Sequence, residues 1–243
     1  MIIFPAIDLR NGRVVRLKQG RADAETQYSD DPAQVATRWQ AQGAEWLHVV
    51  NLDGAFGETS LANARALTDI ISSVSIPMQF GGGLRDVASI DAAFAAGVTR
   101  VVIGTAAVEN PELVSDVLAR FNSKKIVVGI DARDGMVATR GWVEQSQVSA
   151  IDLAKQMRAR GVERIVYTDI TRDGMLRGID ADAMAKLACA ANVRVIASGG
   201  VASLRDIESL ASQKEIEGVI VGQALYTGAM TLKDAVDISK SKQ

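Results

Sequence analysis

Short apolar runs rich in β-branched residues alternate with longer amphipathic stretches along the whole chain. The short runs predict buried β-strands, and the longer stretches carry apolar residues at the spacing of a helix face. Eight strands are predicted, at 3–8, 46–51, 76–80, 100–103, 125–130, 164–169, 193–197 and 218–221. Eight helices are predicted, at 31–42, 63–73, 87–96, 111–121, 150–160, 182–191, 204–212 and 232–239.

This alternation is typical of βα units around a parallel sheet, an α/β fold. Eight units in 243 residues give about thirty residues per unit, the usual size in a (β/α)₈ barrel. We therefore predict a single TIM barrel domain, with a doubly wound open sheet as the alternative. The sequence has no linker or low-complexity tract that would divide it into independent domains.

The predicted strand ends of the first half recur in the second half about 120 residues later. Residues 8–12 and 131–135 share the pattern Asp-x-Arg-Asn/Asp-Gly, and Gly-Gly pairs at 82–83 and 199–200 also correspond. The pattern predicts two half-barrels, at approximately 1–122 and 123–243, related by an approximate twofold axis.

Composition limits the partners that the chain can bind and the groups that it can use for catalysis. The chain has 27 Lys and Arg against 29 Asp and Glu, without a basic stripe, so we expect no nucleic acid or membrane partner. The lone Cys189 excludes an internal disulfide, and the lone His48 is too little for an ordinary zinc site. We therefore expect no metal, with carboxylates as the acid and base. The lack of a leader-like start and of a long apolar span predicts a cytoplasmic protein.

Asp8 and Asp131 each end an apolar strand in its half of the chain. In a parallel barrel the strand ends converge on one face, so the two carboxyls face each other across the mouth. Partial burial there allows one carboxyl to stay protonated as an acid while the other works as a base. The same motif is also a good hairpin turn, so a purely structural role stays open.

Glycine-rich strand ends occur in two matched sets. Glycine lets a backbone approach an anion closely, and a phosphate site after the last two strands is common in barrels. Two sets predict two phosphate sites and a bisphosphate substrate. The predicted phosphate-binding residues are Gly82, Gly83, Gly104 and Thr105 in the first set, and Ser198, Gly199, Gly200, Gly222 and Gln223 in the second.

Three other features have two readings each. His48 lies inside an apolar strand, which favours a buried histidine over a catalytic one. Trp142 and Arg140 follow the fifth strand, where they are candidates to stack on a planar ring and to pair with an anion, or else to pack at the surface. The polar stretch 20–25 is either a mobile lid or a plain connecting loop.

Motifs spread over most of the chain identify a family. The segments 4–10, 28–32, 47–55, 81–83, 168–174 and 220–226 closely resemble the phosphoribosylformimino aminoimidazole carboxamide ribotide isomerases of histidine biosynthesis. The resemblance implies a barrel of two half-barrels that needs no metal or organic cofactor. It also implies an Amadori rearrangement of an aminoaldose bisphosphate to an aminoketose.

By the same resemblance, Asp8 is the base, Asp131 is the leading candidate for the acid, and Thr168 and Asp173 complete the site. Asp173 competes for the acid role. We also expect substrate contacts from Arg16 and Gly178. The chain departs from the family pattern at Asn51, Met175, Arg177 and 179–180, which affects contacts made by the sixth loop.

Three alternatives remain at this stage. The related cyclase carries a lysine where this chain has Arg16, which weighs against it. A dual-substrate isomerase that also acts on phosphoribosylanthranilate is compatible with Arg140. A non-catalytic phosphosugar-binding barrel would keep the glycine loops without needing Asp8 and Asp131. We expect a monomer, because no long exposed apolar pattern demands a partner.

Overall fold

The computed structural model describes residues 1–241, and its eight parallel strands close into a barrel. The strands of the structure are β1 (Ile2–Arg10), β2 (Arg13–Lys18), β3 (Arg21–Ser29), β4 (Leu47–Asn51), β5 (Met78–Gly81), β6 (Arg100–Ile103), β7 (Ile126–Arg133), β8 (Met136–Thr139), β9 (Glu144–Ser149), β10 (Arg164–Asp169), β11 (Arg194–Ser198) and β12 (Ile216–Val221). The barrel runs β1, β4, β5, β6, β7, β10, β11, β12 and returns to β1. This closure confirms the predicted TIM barrel and excludes the open sheet.

Helices surround the barrel at the predicted places. They are α1 (Pro32–Ala41), α2 (Leu52–Ala55), α3 (Leu61–Ser73), α4 (Val87–Ala96), α5 (Thr105–Glu109), α6 (Pro111–Phe121), α7 (Ala150–Ala159), α8 (Ala181–Ala191), α9 (Leu204–Ala211), α10 (Gln223–Tyr226) and α11 (Leu232–Ser241). The eight long helices match the eight predicted ones. The short helices α2, α5 and α10 were not predicted, because four or five residues are too few to show a helical period.

Local chemistry explains where the helices begin. Asp31 accepts a hydrogen bond from the backbone N–H of Gln34, and Pro32 occupies the first turn of α1. Asp180 caps α8 in the same way through the N–H of Ala183. None of the helices within residues 1–241 is long and apolar enough to cross a membrane.

The barrel strands bury both faces. On β7, Ile126, Val128 and Ile130 pack under the helices, whereas Val127 points into the barrel. Near the amino ends of the strands, Glu217 pairs with Arg100 at 3.4 Å and with Arg164 at 2.7 Å. These ion pairs cover that end of the barrel interior. The opposite end, where the strands carry their carboxyl ends, stays open.

Two antiparallel hairpins extend the barrel at its open end. Strands β2 and β3 follow β1, and β8 and β9 follow β7, with Asp8 opposite Val15 and Asp131 opposite Ala138. The turns at Asn11–Gly12 and Asp134–Gly135 have positive φ at both residues, which these residue types tolerate. The hairpin reading is therefore right for the turns, and both aspartates precede the turns on the barrel strands.

The prediction of a loop or lid at 20–25 is wrong for most of that stretch, because β3 begins at Arg21. Strand β3 is largely exposed and contains no apolar run. It therefore lacks the alternation that marks a strand in sequence.

Candidate active site

A cleft of about 220 Å³ opens at the carboxyl ends of the barrel strands. One residue at the end of each strand, or directly after it, forms an upper ring, and the residue two positions earlier forms a floor ring. The upper ring consists of Asp8, Val50, Gly81, Gly104, Asp131, Thr168, Ser198 and Gly222. The floor ring consists of Ala6, His48, Gln79, Val102, Gly129, Val166, Ile196 and Ile220. The carboxylates thus stand at the level where a ligand enters.

Arg16 joins two of the carboxylates. Its Nη1 donates to Asp8 Oδ2 at 2.6 Å, and its Nη2 lies 3.8 Å from Asp173 Oδ1. Arg16 is buried, and it reaches this place because β2 folds back from the turn after β1. A hydrogen-bonded cation of this kind favours the ionised form of the carboxylate that it contacts.

Asp131 has a different environment across the cleft. Strand pairing places it beside Thr168, and the side chains of Thr168 and Trp142 act as its hydrogen-bond donors. Trp142 belongs to the loop between β8 and β9, which leans over the mouth towards Gly20 and Phe56. The indole therefore covers one side of the cleft while it contacts the carboxylate.

Burial raises the pKa of all three carboxyls. For Asp8 the Arg16 guanidinium opposes the rise, and for Asp131 the hydrogen bonds from Thr168 and Trp142 oppose it. For Asp173 burial raises the pKa to about 6, with Arg16 opposing and the charges of Asp8 and Asp131 adding to the rise. Raised values of this kind are common among groups that exchange protons in catalysis.

The glycine loops bring backbone close to backbone. A Cβ atom on Gly82 would collide with the carbonyl of Asn51, and one on Gly199 would collide with the carbonyl of Asp169. Both glycines also have a positive φ, of 95° and 92°. The two loops therefore require glycine for the same reason at corresponding places in the barrel.

Sequence comparison now adds to this geometry. The family model described as "Histidine biosynthesis protein" matches residues 2–231. The chain belongs to this family. Known members include proteins named 1-(5-phosphoribosyl)-5-((5-phosphoribosylamino)methylideneamino) imidazole-4-carboxamide isomerase. The one from Trichlorobacter lovleyi is 50% identical over 242 residues, covering 99% of this chain and 98% of its own. That from Citrifermentans bemidjiense is 50% identical with both chains fully covered, and that from Geotalea daltonii is 51% identical over 99% of this chain and 98% of its own.

The structure of this family member brings most of the predicted site residues together. The predicted residues that line the cleft are Asp8, Arg16, Gly82, Gly83, Gly104, Thr105, Asp131, Trp142, Thr168, Asp173, Ser198, Gly199, Gly200, Gly222 and Gln223. These residues could be found from the sequence because nearly all of them lie at the carboxyl ends of the strands, in the upper ring or in the adjoining loops, and a barrel brings these ends to one face.

Two predicted site residues lie elsewhere. The exposed Arg140 points away from the cleft and pairs with Glu109 at 2.9 Å and Glu144 at 3.2 Å. Gly178 lies outside the cleft lining, where its N–H donates to the carbonyl of Gly200 and its carbonyl accepts from Arg172. The arrangement therefore gives Gly178 a supporting place behind the second glycine loop, and it does not bring Arg140 to the ligand.

Sequence reasoning missed Arg85 and Phe56, which also line the cleft. Arg85 Nη2 donates to the carbonyl of Gly54 at 3.1 Å. Its position directly after the first glycine loop was an available signal, since a cation there favours an anionic ligand. Phe56 lies in a short connection after α2 and had no such signal.

Asn51, where the chain departs from the pattern, has a structural role. Its Oδ1 accepts hydrogen bonds from the N–H of Gly54 at 3.1 Å and from Asn63 Nδ2 at 2.7 Å. These bonds cap α2 and tie it to α3 at the back of the first glycine loop. The described residues 1–241 contain no cluster of three or more His, Cys, Asp or Glu side chains suited to a metal ion.

Proposed function

We propose that this chain is a 1-(5-phosphoribosyl)-5-((5-phosphoribosylamino)methylideneamino) imidazole-4-carboxamide isomerase, which converts an aminoaldose to an aminoketose in histidine biosynthesis. Half-identical, full-length relatives carry this name. The observation that carries the proposal for this chain is the set of Asp8, Asp131 and Asp173 around one cleft, with glycine loops on both sides of it.

Asp8 is the proposed base. The reaction begins when a protonated acid delivers a proton to the ring oxygen of the ribose, the C1–O bond breaks and a protonated imine forms. The positive charge makes the hydrogen on C2 acidic, and a carboxylate removes it. Asp8 suits this step because the Arg16 guanidinium, 2.6 Å away, favours its ionised form against the effect of burial. The resulting enolamine takes up a proton at C1, loses the proton of its C2 hydroxyl and becomes the aminoketose.

Two carboxyls compete for the acid role. Asp131 stands across the upper ring from Asp8, which supports the assignment made from the sequence. Asp173 has a pKa raised to about 6, and the neighbouring charges of Asp8 and Asp131 favour its protonated form. The acid must carry a proton at neutral pH, so this second observation keeps Asp173 as a candidate.

The substrate named by the relatives has two phosphoribosyl groups and therefore a phosphate at each end. We propose that one phosphate binds at Gly82, Gly83, Gly104 and Thr105, and the other at Ser198, Gly199, Gly200, Gly222 and Gln223. The reacting sugar then lies between the loops, over the carboxylates. All of these groups come from one chain, so we propose that the monomer is sufficient for activity.

The decisive experiment is a turnover assay of the purified protein with the aminoaldose substrate in the presence of a metal chelator. We expect conversion to the aminoketose, and we expect the Asp8→Asn variant to lose it while still binding substrate. A protein that binds the bisphosphate without converting it would be a phosphosugar-binding barrel, and the proposal would fail.

The position of Arg140 weakens the alternative of a dual-substrate isomerase. Arg140 was its sequence support, and its guanidinium is held by Glu109 and Glu144 outside the cleft. We therefore expect kcat/KM for phosphoribosylanthranilate to be far below that for the histidine-pathway substrate. Comparable values for the two substrates would reverse this ranking.

A further inference from the structure

The floor ring contains one polar pair. Six of its members are small or aliphatic, and the other two are His48 on β4 and Gln79 on β5. The pair lies one layer below Asp8 and Asp131 in the barrel. A buried polar pair in an apolar layer is costly unless its groups bond to each other. Neither side chain has a part in the reaction steps described above.

Strand pairing places the two side chains side by side. His48 and Gln79 are partners in the β4–β5 ladder, and Gln79 Nε2 lies 2.9 Å from His48 Nδ1. Gln79 is fully buried, whereas His48 is 8% exposed and lines the cleft. Because Nδ1 is turned to Gln79, Nε2 is the ring nitrogen directed away from β5 and available to the cleft.

The charge on the next strand favours this orientation of the Gln79 amide. Gln79 and Arg100 are ladder partners on β5 and β6, so both side chains leave the sheet on the inner side. Among residues 1–241, Gln79 Oε1 and Arg100 Nε are both buried without a hydrogen-bond partner. When the amide oxygen of Gln79 is turned towards the Arg100 guanidinium, the amide nitrogen of Gln79 faces His48. Nδ1 then accepts, and the ring proton belongs on Nε2.

We propose that Gln79 is a positioning residue that holds His48 as the tautomer protonated on Nε2, so that the neutral ring presents a hydrogen-bond donor to an oxygen of the bound sugar chain. The substrate in this statement rests on the proposed function. The tautomer itself rests only on the contacts of Gln79. When the enolamine becomes the ketone, the C2 hydroxyl loses its proton and its oxygen becomes a carbonyl acceptor, and a fixed donor that meets this oxygen costs no reorganisation.

Burial and a neighbouring positive charge keep the His48 ring neutral. Burial and the Arg16 guanidinium lower the pKa of His48 to about 3. Around the ring, β2 contributes Arg16, β1 contributes Asp8, which is itself bonded to Arg16, and β6 contributes Arg100 beyond Gln79. His48 therefore does not exchange protons near neutral pH and acts as a donor only.

The only histidine of the chain makes the proposal directly measurable. In ¹⁵N-labelled protein, long-range ¹H–¹⁵N spectra give separate shifts for a protonated and an unprotonated ring nitrogen. We expect Nδ1 unprotonated and Nε2 protonated, without change between pH 6 and pH 8. A proton on Nδ1, an average of the two tautomers, or a doubly protonated ring would each overturn the proposal.

Gln79→Glu tests the positioning role, because a carboxylate beside Nδ1 only accepts hydrogen bonds and draws the ring proton to Nδ1. We expect the spectrum to change accordingly and kcat to fall by about 10- to 100-fold. A loss of this size is typical when a metal-binding histidine loses the outer hydrogen-bond partner that orients it. Gln79→Leu leaves Nδ1 without its donor and serves if the glutamate variant does not fold. Gln156→Leu, on the exposed side of α7, is the matched control and should keep wild-type kcat.

Two results separate this proposal from the proposed function. If the wild-type protein does not convert the aminoaldose, the proposed function fails, and the spectrum of the free protein still tests the tautomer. If the wild-type protein is active and Gln79→Glu moves the ring proton with kcat unchanged, the donor role of His48 is overturned.

Discussion

Arg16 gives the three carboxylates different surroundings, which bears on which of them is the proposed base and which the proposed acid. It contacts Asp8 at 2.6 Å and stands 3.8 Å from Asp173, while Asp131 has only neutral donors. One buried cation beside two carboxylates ionises the closer one more strongly. The same guanidinium lies against Gly222, where a Cβ atom would come within 2.5 Å of its Cζ. Arg16 thus connects Asp8, the proposed base, with the second glycine loop.

The identity of the acid follows from a comparison of two variants. Loss of a general acid or base costs about 10² to 10⁴ in rate, so the variant of the true acid should lose at least this much in kcat with little change in KM. We expect this loss for Asp131→Asn. A near-wild-type kcat for Asp131→Asn together with loss of activity in Asp173→Asn would move the acid role to Asp173.

Asp173 should also make stability depend on pH. Its pKa is raised from 3.8 to about 6, so folding favours the protonated form. The stability that this group contributes is fully present below pH 3.8 and is lost as pH rises through 6. The ionised group therefore costs the folded protein up to about 3 kcal/mol at pH 8.

Asp173→Asn is therefore expected to have a higher free energy of unfolding than wild type at pH 8. The difference should shrink by about 1–2 kcal/mol at pH 5, as measured by urea denaturation. Asp116→Asn, on the exposed face of α6, is the control, and its difference from wild type should not change with pH. If Asp173→Asn changed the free energy of unfolding equally at both pH values, the pKa of Asp173 would not be raised by burial.

At this scale the sequence predicted which residues line the cleft better than it predicted their contacts. Asp8 and Asp131 could be placed because each ends an apolar strand. The contrast between Arg140 and Trp142 could not be foreseen, since three successive residues adopt positive φ of 54°, 67° and 69° and turn one side chain out and the other in. Such backbone geometry depends on packing against Phe56 and Gly20 rather than on local preference.

The two hairpins bring the distant parts of the site together. Strand β2 supplies Arg16, and the β8–β9 loop supplies Trp142. Tyr28 on β3 receives a hydrogen bond from Gln223 Nε2 at 3.0 Å and packs its ring 4.8 Å from that of Tyr226. These contacts attach the first hairpin to the end of β12, so its strands have a fixed place over the barrel mouth.

The hairpins meet at Gly20, and a substitution there tests their contact. Gly20 has φ of 70°, and a Cβ atom on it would collide with the Trp142 ring. Gly20→Ala should therefore displace the indole from Asp131 and lower kcat/KM by about 10- to 100-fold, since small misplacements near a site have effects of this size.

Gly228→Ala is the matched control for this experiment. Gly228 has φ of 73° with open space around its Cβ position. Both substitutions carry the same backbone strain of about 1–2 kcal/mol, so both should lower the melting temperature. Only Gly20→Ala should lower kcat/KM, and equal kinetic effects would show that strain alone is responsible.

The sequence predicted the barrel strands, the long helices and a hairpin turn after β1 and β7, but not the strands β2, β3, β8 and β9 that form the hairpins. Barrel strands such as β7 are apolar on both faces and stand out, because parallel strands are covered on both sides. Strands β3 and β9 are mostly exposed and carry charged or polar residues. They form because the turns after β1 and β7 fold the chain back on itself. A search for alternating apolar residues therefore does not detect them.

For the molecule as a whole, the matched loops predict two anion sites on opposite sides of the mouth. We expect a crystal soaked in phosphate or sulfate to show one ion at Gly82, Gly83, Gly104 and Thr105, and one at Ser198, Gly200, Gly222 and Gln223. Anions found elsewhere, or a site filled by side chains, would break the connection between the paired loops and a bisphosphate substrate.

The closure of the barrel between β1 and β12 has a consequence for synthesis in the cell. Arg16 on β2 is made before strands β4 to β12, and Gly222, against which it rests, follows directly after β12. A nascent chain that has not yet released β12 from the ribosome has an unclosed sheet and lacks the glycine loop at Gly222. We therefore expect any fragment that stops before this strand to be inactive, because neither the barrel nor the proposed second phosphate site can form.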